Sequence, residues 1–164
     1  DWSSDVVLFR STDLAVIHRL AMCRLAFGDL PAVRVADREI RRASATYTVD
    51  TLEELRAEYP YARLFLVIGE DQLAAFKGWR RWQDVLSMAT LVVAARANEK
   101  GLTDLKAPPD LPFQRLDMPL SPISSTDIRI LAATGAQGLE SLAALVPGAV
   151  ASYISLHSLY QQPS

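Results

Sequence analysis

Apolar residues gather along the chain in short continuous runs, and between most of these lie stretches where apolar positions recur every three to four residues. Runs of strand character occur at Val6–Phe9, Val33–Val35, Leu64–Ile68, Leu91–Ala95 and Phe113–Leu116. Leu64–Ile68 and Leu91–Ala95 are apolar without interruption, the pattern of strands covered on both faces. The first helical stretch runs from Asp13 to Phe27, with Asp13 as cap, Leu14, Ile17, Ala21 and Leu25 on one face, and Gly28 just past its end. A second follows Tyr47, with Thr48 or Thr51 as cap, and stops before Pro60. A third begins near Asp71 and breaks at Gly78, and a fourth follows Trp79 and ends near Met88. Asn98–Pro112, with paired Pro108 and Pro109, reads as a surface loop. The last third returns to helical spacing at Ser125–Ala133, Leu139–Val146 and Pro147–Leu159, with Pro147 suited to a first turn.

Alternation of strand and helix at a spacing of roughly 30 residues is the mark of βαβ units. The predicted fold class is α/β: a parallel sheet flanked by helices, followed by a helical C-terminal portion. A length of 164 residues predicts one domain over 1–164.

Composition narrows the chemistry. Half of the residues are apolar and 22% are charged, enough for a sizeable core. The formal net charge is −2, so no basic field exists for a nucleic-acid backbone, while a small anion remains within reach of a few arginines. The lone cysteine, Cys23, forms no internal disulfide and fits a reducing compartment. No apolar run is long enough to span a bilayer, and the N-terminus lacks a signal-peptide pattern. The expectation is a soluble cytoplasmic domain without membrane or nucleic-acid partners, its oligomeric state unassigned.

Open parallel sheets bind ligands outside the carboxyl ends of their strands. Four segments fall at such places. Ala45–Leu52 offers Thr46, Tyr47, Thr48 and Thr51 at a loop-to-helix junction, where hydroxyls and free backbone N–H groups meet an anion or simply cap the helix. Ile68-Gly69-Glu70-Asp71 places a glycine directly after a buried strand, with an acid beside it that accepts from ribose hydroxyls or caps the next helix. Trp79-Arg80-Arg81-Trp82 sets an indole next to Gly78 for stacking on a planar ring, with Arg80 and Arg81 able to hold a carboxylate or phosphate. Trp82, at helical spacing with Val85 and Leu86, belongs to the core. Pro122–Arg129 carries Ser124 three residues before Asp127, a capping-box-like helix start that also has the parts of a phosphate site.

Other chemistries fail on inventory. No G-x-S-x-G, G-x-x-x-x-G-K-[ST] or G-x-G-x-x-G motif occurs. His18 and His157 lie far apart without ligand-like neighbours, so no metal-ligating residue is expected. His18 reads as structural, and Cys23 as a buried inert thiol.

Taken in order, Ala-Thr-Tyr-Thr-Val-Asp-Thr-Leu, Phe-Leu-Val-Ile-Gly-Glu-Asp, Trp-Arg-Arg-Trp and Ile-Ser-Ser-Thr-Asp-Ile-Arg resemble bacterial nicotinate mononucleotide adenylyltransferases. The ending Tyr153–Tyr160 is similar too, and the likeness runs from about His18 to Tyr160. The resemblance implies a Rossmann-like nucleotidyltransferase fold and a reaction dependent on ATP and Mg²⁺. The phosphate of nicotinate mononucleotide attacks the α-phosphorus of ATP, giving deamido-NAD and pyrophosphate. It further implies that Tyr47 and Thr48 line the pyridine nucleotide site, that Trp79 packs on the nicotinate ring and that Arg96 faces a phosphate. Gly69 and Asp71 would meet the adenosine, and Ser124, Ser125 and Arg129 the ATP phosphates.

Members of that family open with a Gly-Gly-Thr-Phe-Asp-Pro-like turn and an H-x-G-H motif whose histidines meet the triphosphate. Here Asp5–Arg10 is similar to the family's second strand, and Ser11–Val16 stands where relatives carry a longer loop. The resemblance therefore names no catalytic histidine, and Arg129 takes a supporting part. It leads to the expectation that these 164 residues alone do not form deamido-NAD. The alternative reading is a non-catalytic relative that binds a nucleotide or a protein partner.

Overall fold

The computed structural model describes residues 16–42, 46–98, 101–102, 107–119 and 123–161. The expected strand at Val6–Phe9, the cap Asp13 with Leu14, and the flanking positions Ala45 and Pro122 lie outside them. Chain contacts fall into two compact units, one holding the described residues of Arg42–Ser121 and the other those of Asp5–Arg41 and Pro122–Ser164.

The first unit is an α/β layer. Helix α3 (Thr48–Glu58) leads into β1 (Leu64–Gly69), followed by α4 (Glu70–Ala75), a 3₁₀ turn (Phe76–Gly78), α5 (Trp82–Met88) and β2 (Ala89–Asn98). Strand β3 is the two-residue Gly101–Leu102, and β4 is Gln114–Met118. β2 is central: β1 pairs with it in parallel from Leu64↔Ala89 to Gly69↔Ala94, and β4 in parallel from Val92↔Gln114 to Arg96↔Met118. The predicted strands at Leu64–Ile68, Leu91–Ala95 and Phe113–Leu116 are thus present. β3 pairs antiparallel with the end of β2, so the segment read as loop begins with a short hairpin.

Side chains alternate across a strand, so Leu66, Ile68, Leu91 and Val93 share one face. There they meet Val49 and Leu52 of α3, Leu73 of α4, Phe76 and Val85 in one buried cluster. The expectation of strands covered on both faces needs correction within this unit. Phe65 and Val67, on the opposite face of β1, are 50% and 48% exposed. The helices of the unit all pack on one side, so the apolar run reports strand propensity rather than two covered faces.

The second unit is helical: α1 (Val16–Phe27), α2 (Arg38–Arg41), α6 (Ser125–Ala133), α7 (Ala136–Ala143) and α8 (Gly148–Leu156). Met22, Ile128, Ala132, Leu142, Val150 and Ile154 form its core. The predicted inner face of α1 is displaced by one residue. Ile17 is 71% exposed and Leu25 is exposed, whereas Met22 is buried and Ala26 packs beside it. Contact with α8 selects the His18–Met22–Ala26 ridge, and a helix with apolar residues on several sides cannot announce which ridge will be used. Val33–Val35 joins no strand; Val33 is exposed, and two valines flanking Arg34 without a neighbouring strand are too few to hold one. Pro147 takes the N-cap of α8 rather than its first turn. Gly138 lets α7 approach α6 closely, since a Cβ there would overlap the Leu131 carbonyl.

Candidate active site

A helix that packs on a sheet and turns directly into the next strand runs antiparallel to that strand. Helix α3 enters β1 through the short turn 59–63, and α5 passes straight into β2. Their N-termini therefore lie at the carboxyl ends of the parallel strands, where α/β sheets hold ligands. Tyr47, Thr48, Gly69, Asp71, Trp79 and Arg96 all belong to this end of the first unit.

Tyr47 is the N-cap of α3 and makes no side-chain cap bond, so the expectation of a threonine cap is corrected: Thr48 is the first helical residue, and it is buried. Thr51 accepts a 2.9 Å hydrogen bond from Arg42, which also pairs with Glu54 at 2.7 Å. Gly69 ends β1 and serves as N-cap of α4 with an ordinary φ of −83°, which any residue adopts. What its missing side chain supplies is space, because a Cβ there would come within 2.9 Å of the Asp71 carboxylate. Asp71 sits in the first turn of α4, one residue past the start, rather than capping it. Arg96 lies near the carboxyl end of β2, opposite Met118 of β4.

Trp79 follows the 3₁₀ turn with an extended backbone, half-buried, its ring centroid 5.0 Å from that of Phe76. Trp82 touches the same phenyl ring edge-on at 6.5 Å and packs on the core, as its helical spacing predicted. The two arginines between them go different ways. Arg81 is N-cap of α5 in the left-handed region, φ 52°, and pairs with Glu53 at 2.8 Å and Asp84 at 2.6 Å. Arg80 places its guanidinium 4.5 Å from the centre of the Tyr47 ring.

In the second unit, Ser124 and Asp127 form the complete capping box read from the sequence. Ser124 Oγ accepts from Asp127 N at 3.2 Å, while Asp127 Oδ2 accepts from Ser124 N at 2.9 Å and from Ser124 Oγ at 2.6 Å. The Ser124 hydroxyl is therefore committed to the cap. Ser125 opens α6, and Arg129 donates from Nη2 to Thr126 Oγ1 at 3.1 Å, which keeps its guanidinium over the first turn. Ser124, Ser125 and Arg129 are thus gathered at one helix start, and the remaining candidates at the sheet edge of the other unit.

Hydrogen bonds from the Ser124 hydroxyl, and then from its backbone N–H, hold the Asp127 carboxyl below its usual value. A depressed carboxyl contributes stability above its unfolded pKa of about 3.9 and loses that contribution as pH falls through the lower folded value. Melting curves of wild type and Asp127→Asn are expected to differ at neutral pH and to converge below about pH 4. A constant difference across that range would show that the carboxylate does not stabilise the cap.

One grouping escaped the sequence reading. His18 Nδ1 and the Tyr153 hydroxyl share a 3.0 Å hydrogen bond, and the rings of His18 and His157 lie 5.2 Å apart. The histidines therefore do have neighbours, a tyrosine and each other. The i,i+4 spacing of Tyr153 and His157 puts both on one face of α8, but nothing local ties His18 to them. Among the described residues no three His, Cys, Asp or Glu gather to hold a metal ion. Cys23 is half-buried rather than buried as expected, and partial burial raises its thiol. A cavity of about 440 Å³ opens at the amino ends of the strands, among Leu64, Ala89, Thr90, Phe113 and Gln114. It lies at the wrong end of the sheet for nucleotide chemistry, and no candidate residue lines it.

A cytidylyltransferase-like family model matches residues 11–130. A probable nicotinate-nucleotide adenylyltransferase from Albidiferax ferrireducens is 45% identical over 147 residues, covering 88% of this chain and 72% of the relative. One from Chloroherpeton thalassium is 37% identical over 151 residues, with the same coverage. Among solved structures, Plasmodium falciparum nicotinic acid mononucleotide adenylyltransferase complexed with NaAD superposes with a TM-score of 0.64 at 16% identity, over 92% of this chain and 78% of that one. The same enzyme complexed with APC gives 0.64 at 15% identity. These structures establish the Rossmann-like nucleotidyltransferase fold. No helix among the described residues is long and apolar enough to cross a membrane. With the model spanning most of the chain and relatives this similar over most of their length, the protein belongs to the nicotinate-nucleotide adenylyltransferase family of cytidylyltransferase-like enzymes.

Proposed function

We propose that the residues of this chain hold the two substrates of the adenylyl transfer for which its relatives are named, the joining of nicotinate mononucleotide to the AMP part of ATP. A phosphate oxygen of the mononucleotide forms a bond to the α-phosphorus of ATP, the bond to the β-phosphate oxygen breaks, and deamido-NAD and pyrophosphate leave. Magnesium enters with ATP as part of the substrate, offsetting triphosphate charge. No covalent enzyme intermediate is required, so positioning and charge stabilisation carry the reaction. The observation that supports this most strongly is the gathering of Tyr47, Trp79 and Gly69 at the carboxyl end of a parallel sheet, in a chain of this family.

In this reading Tyr47 and Thr48 border the pyridine nucleotide, with Trp79 against its ring and Arg96 toward its phosphate. Gly69 leaves room beside β1 for adenosine, and Asp71 accepts from the ribose hydroxyls. Ser125 and Arg129 serve the ATP phosphates, while Ser124 shapes their turn through its bond to Asp127.

Pyrophosphate release with magnesium, ATP and nicotinate mononucleotide tests the reaction, and separate titrations of each ligand test the sites. Binding of both ligands without pyrophosphate is the outcome expected of these 164 residues alone, and binding of neither would overturn the reading. Arg129→Ala is expected to weaken ATP by about tenfold to a hundredfold, the range for a charge-assisted hydrogen bond. Mononucleotide affinity and melting temperature should change little. Unchanged ATP affinity would reduce the Ser124–Arg129 segment to a helix cap.

A further inference from the structure

The chain has two histidines, and the packing of α1 on α8 brings both to one place on the second unit. Tyr153 and His157 are one helical turn apart at the end of α8, so their side chains share a face. His18 stands in the first turn of α1 and meets that face. Its Nδ1 and the Tyr153 hydroxyl share the 3.0 Å hydrogen bond, and its ring centre is 5.2 Å from that of His157. The Tyr153 ring in turn lies 4.2 Å from His157, so the phenol touches both imidazoles.

A neutral imidazole carries one N–H and one lone pair, and the bond made by one nitrogen fixes what the other offers. With Nδ1–H donating to the Tyr153 hydroxyl, His18 Nε2 is left as a bare lone pair. Among the described residues, neither that nitrogen nor those of His157 have a hydrogen-bond partner. His157 is exposed and His18 half-buried, so these nitrogens are within reach of water. Two imidazoles bound to one tetrahedral zinc ion, each nitrogen about 2.0–2.1 Å from the metal, hold their ring centres about 5 Å apart. The observed 5.2 Å already matches that spacing. A histidine that binds a metal through one nitrogen and donates from the other to a neighbouring oxygen has its tautomer and ring orientation fixed, and Tyr153 supplies that oxygen.

We propose that His18 and His157 form a two-imidazole site for a divalent late transition metal, zinc above all, with water filling the remaining positions and Tyr153 orienting His18. Imidazole suits zinc, copper and nickel, whereas magnesium keeps to oxygen ligands and so to ATP. With two protein ligands rather than four, the site exchanges its ion readily, and a bound ion ties α1 to α8. It uses none of the residues assigned to adenylyl transfer.

The test is zinc titration of the full, untagged chain by calorimetry and by long-range proton–nitrogen NMR of the imidazoles. Because the chain has only two histidines, single substitutions assign their ring signals. A single zinc ion is expected to bind, with His18 Nε2 and a ring nitrogen of His157 shifting together while His18 Nδ1 keeps its proton. Tyr153→Phe should weaken binding by roughly tenfold to a hundredfold, the range for losing a partner that orients a metal ligand. His18→Gln and His157→Gln should each weaken it further. An ion bound to the folded chain stabilises it, so zinc should raise the melting temperature of wild type and leave that of both glutamine variants unmoved. Melting in a chelator shows that the variants are folded, and His157→Gln, at an exposed position, decides the matter if His18→Gln is not. Cys23→Ser removes the single thiol of the chain and should bind zinc as wild type does. Absence of binding to wild type, affinity unchanged by either histidine substitution, or binding lost in Cys23→Ser overturns the proposal.

Discussion

Trp79→Ala is expected to raise the dissociation constant for nicotinate mononucleotide by roughly five- to 150-fold, with ATP affinity changed by less than about threefold. The range corresponds to about 1–3 kcal/mol for stacking a planar base on an aromatic side chain. The indole is half-buried on Phe76, 5.0 Å between ring centres, so truncation also removes packing. An aromatic pair of this kind contributes about 0.5–1.5 kcal/mol beyond its buried area, and the melting temperature should fall by a few degrees. Trp79→Phe separates the two effects, since it keeps a flat ring in the seat and should recover much of both stability and affinity. Separate calorimetric titrations of the two ligands decide the matter. Equal losses for both, following the loss of stability, would make Trp79 a core residue with no place in the site.

The largest effect on stability is expected at Phe76. Its side chain is 0% exposed and sits where the 3₁₀ turn, α5 and the sheet meet, in contact with both tryptophans. Truncating a buried phenylalanine to alanine costs about 3–5 kcal/mol, a large share of the roughly 5–15 kcal/mol that holds a typical domain folded. Denaturant unfolding of Phe76→Ala should show this as a lower midpoint. Mononucleotide affinity should drop as well, because Trp79 loses the surface that orients it. Phe76→Leu, which refills most of the volume, should restore stability more fully than affinity. A loss below about 1 kcal/mol in Phe76→Ala would mean that the turn is not anchored in the core as its burial implies.

The cap at the start of α6 was legible because its cause is local. Ser124 and Asp127 bond each other three residues apart, and any chain with that pair at a helix start can form the box before it has a tertiary structure. The strands at Leu64–Gly69 and within Ala89–Asn98 were legible for a related reason, since an unbroken apolar run has few alternatives to burial in a sheet. Alternation of these elements also predicted which loops would meet at the carboxyl ends, and so placed Tyr47, Gly69 and Trp79 at one edge. Motif order carried the family, which no single segment could do.

Other features depended on partners far away in the chain, and local pattern is silent about those. Arg80 and Arg81 are identical in type and adjacent, yet Glu53 captures one and Tyr47 the other. The buried ridge of α1 was set by its contact with α8, which placed Met22 inside and left Ile17 in water. His18 met Tyr153 and His157 only because the same two helices pack together, across 135 residues in the case of the hydrogen bond. Val33–Val35 had the composition of a strand and no neighbour to pair with. The sequence by itself determined the strands at Leu64–Gly69 and within Ala89–Asn98, the capping box and the edge of the sheet that carries the candidate site, because short-range hydrogen bonding and hydrophobic period act within a few residues. Only the tertiary structure decided which face of each helix is buried and which arginine keeps its charge available, because those outcomes depend on which distant side chains the fold brings within contact.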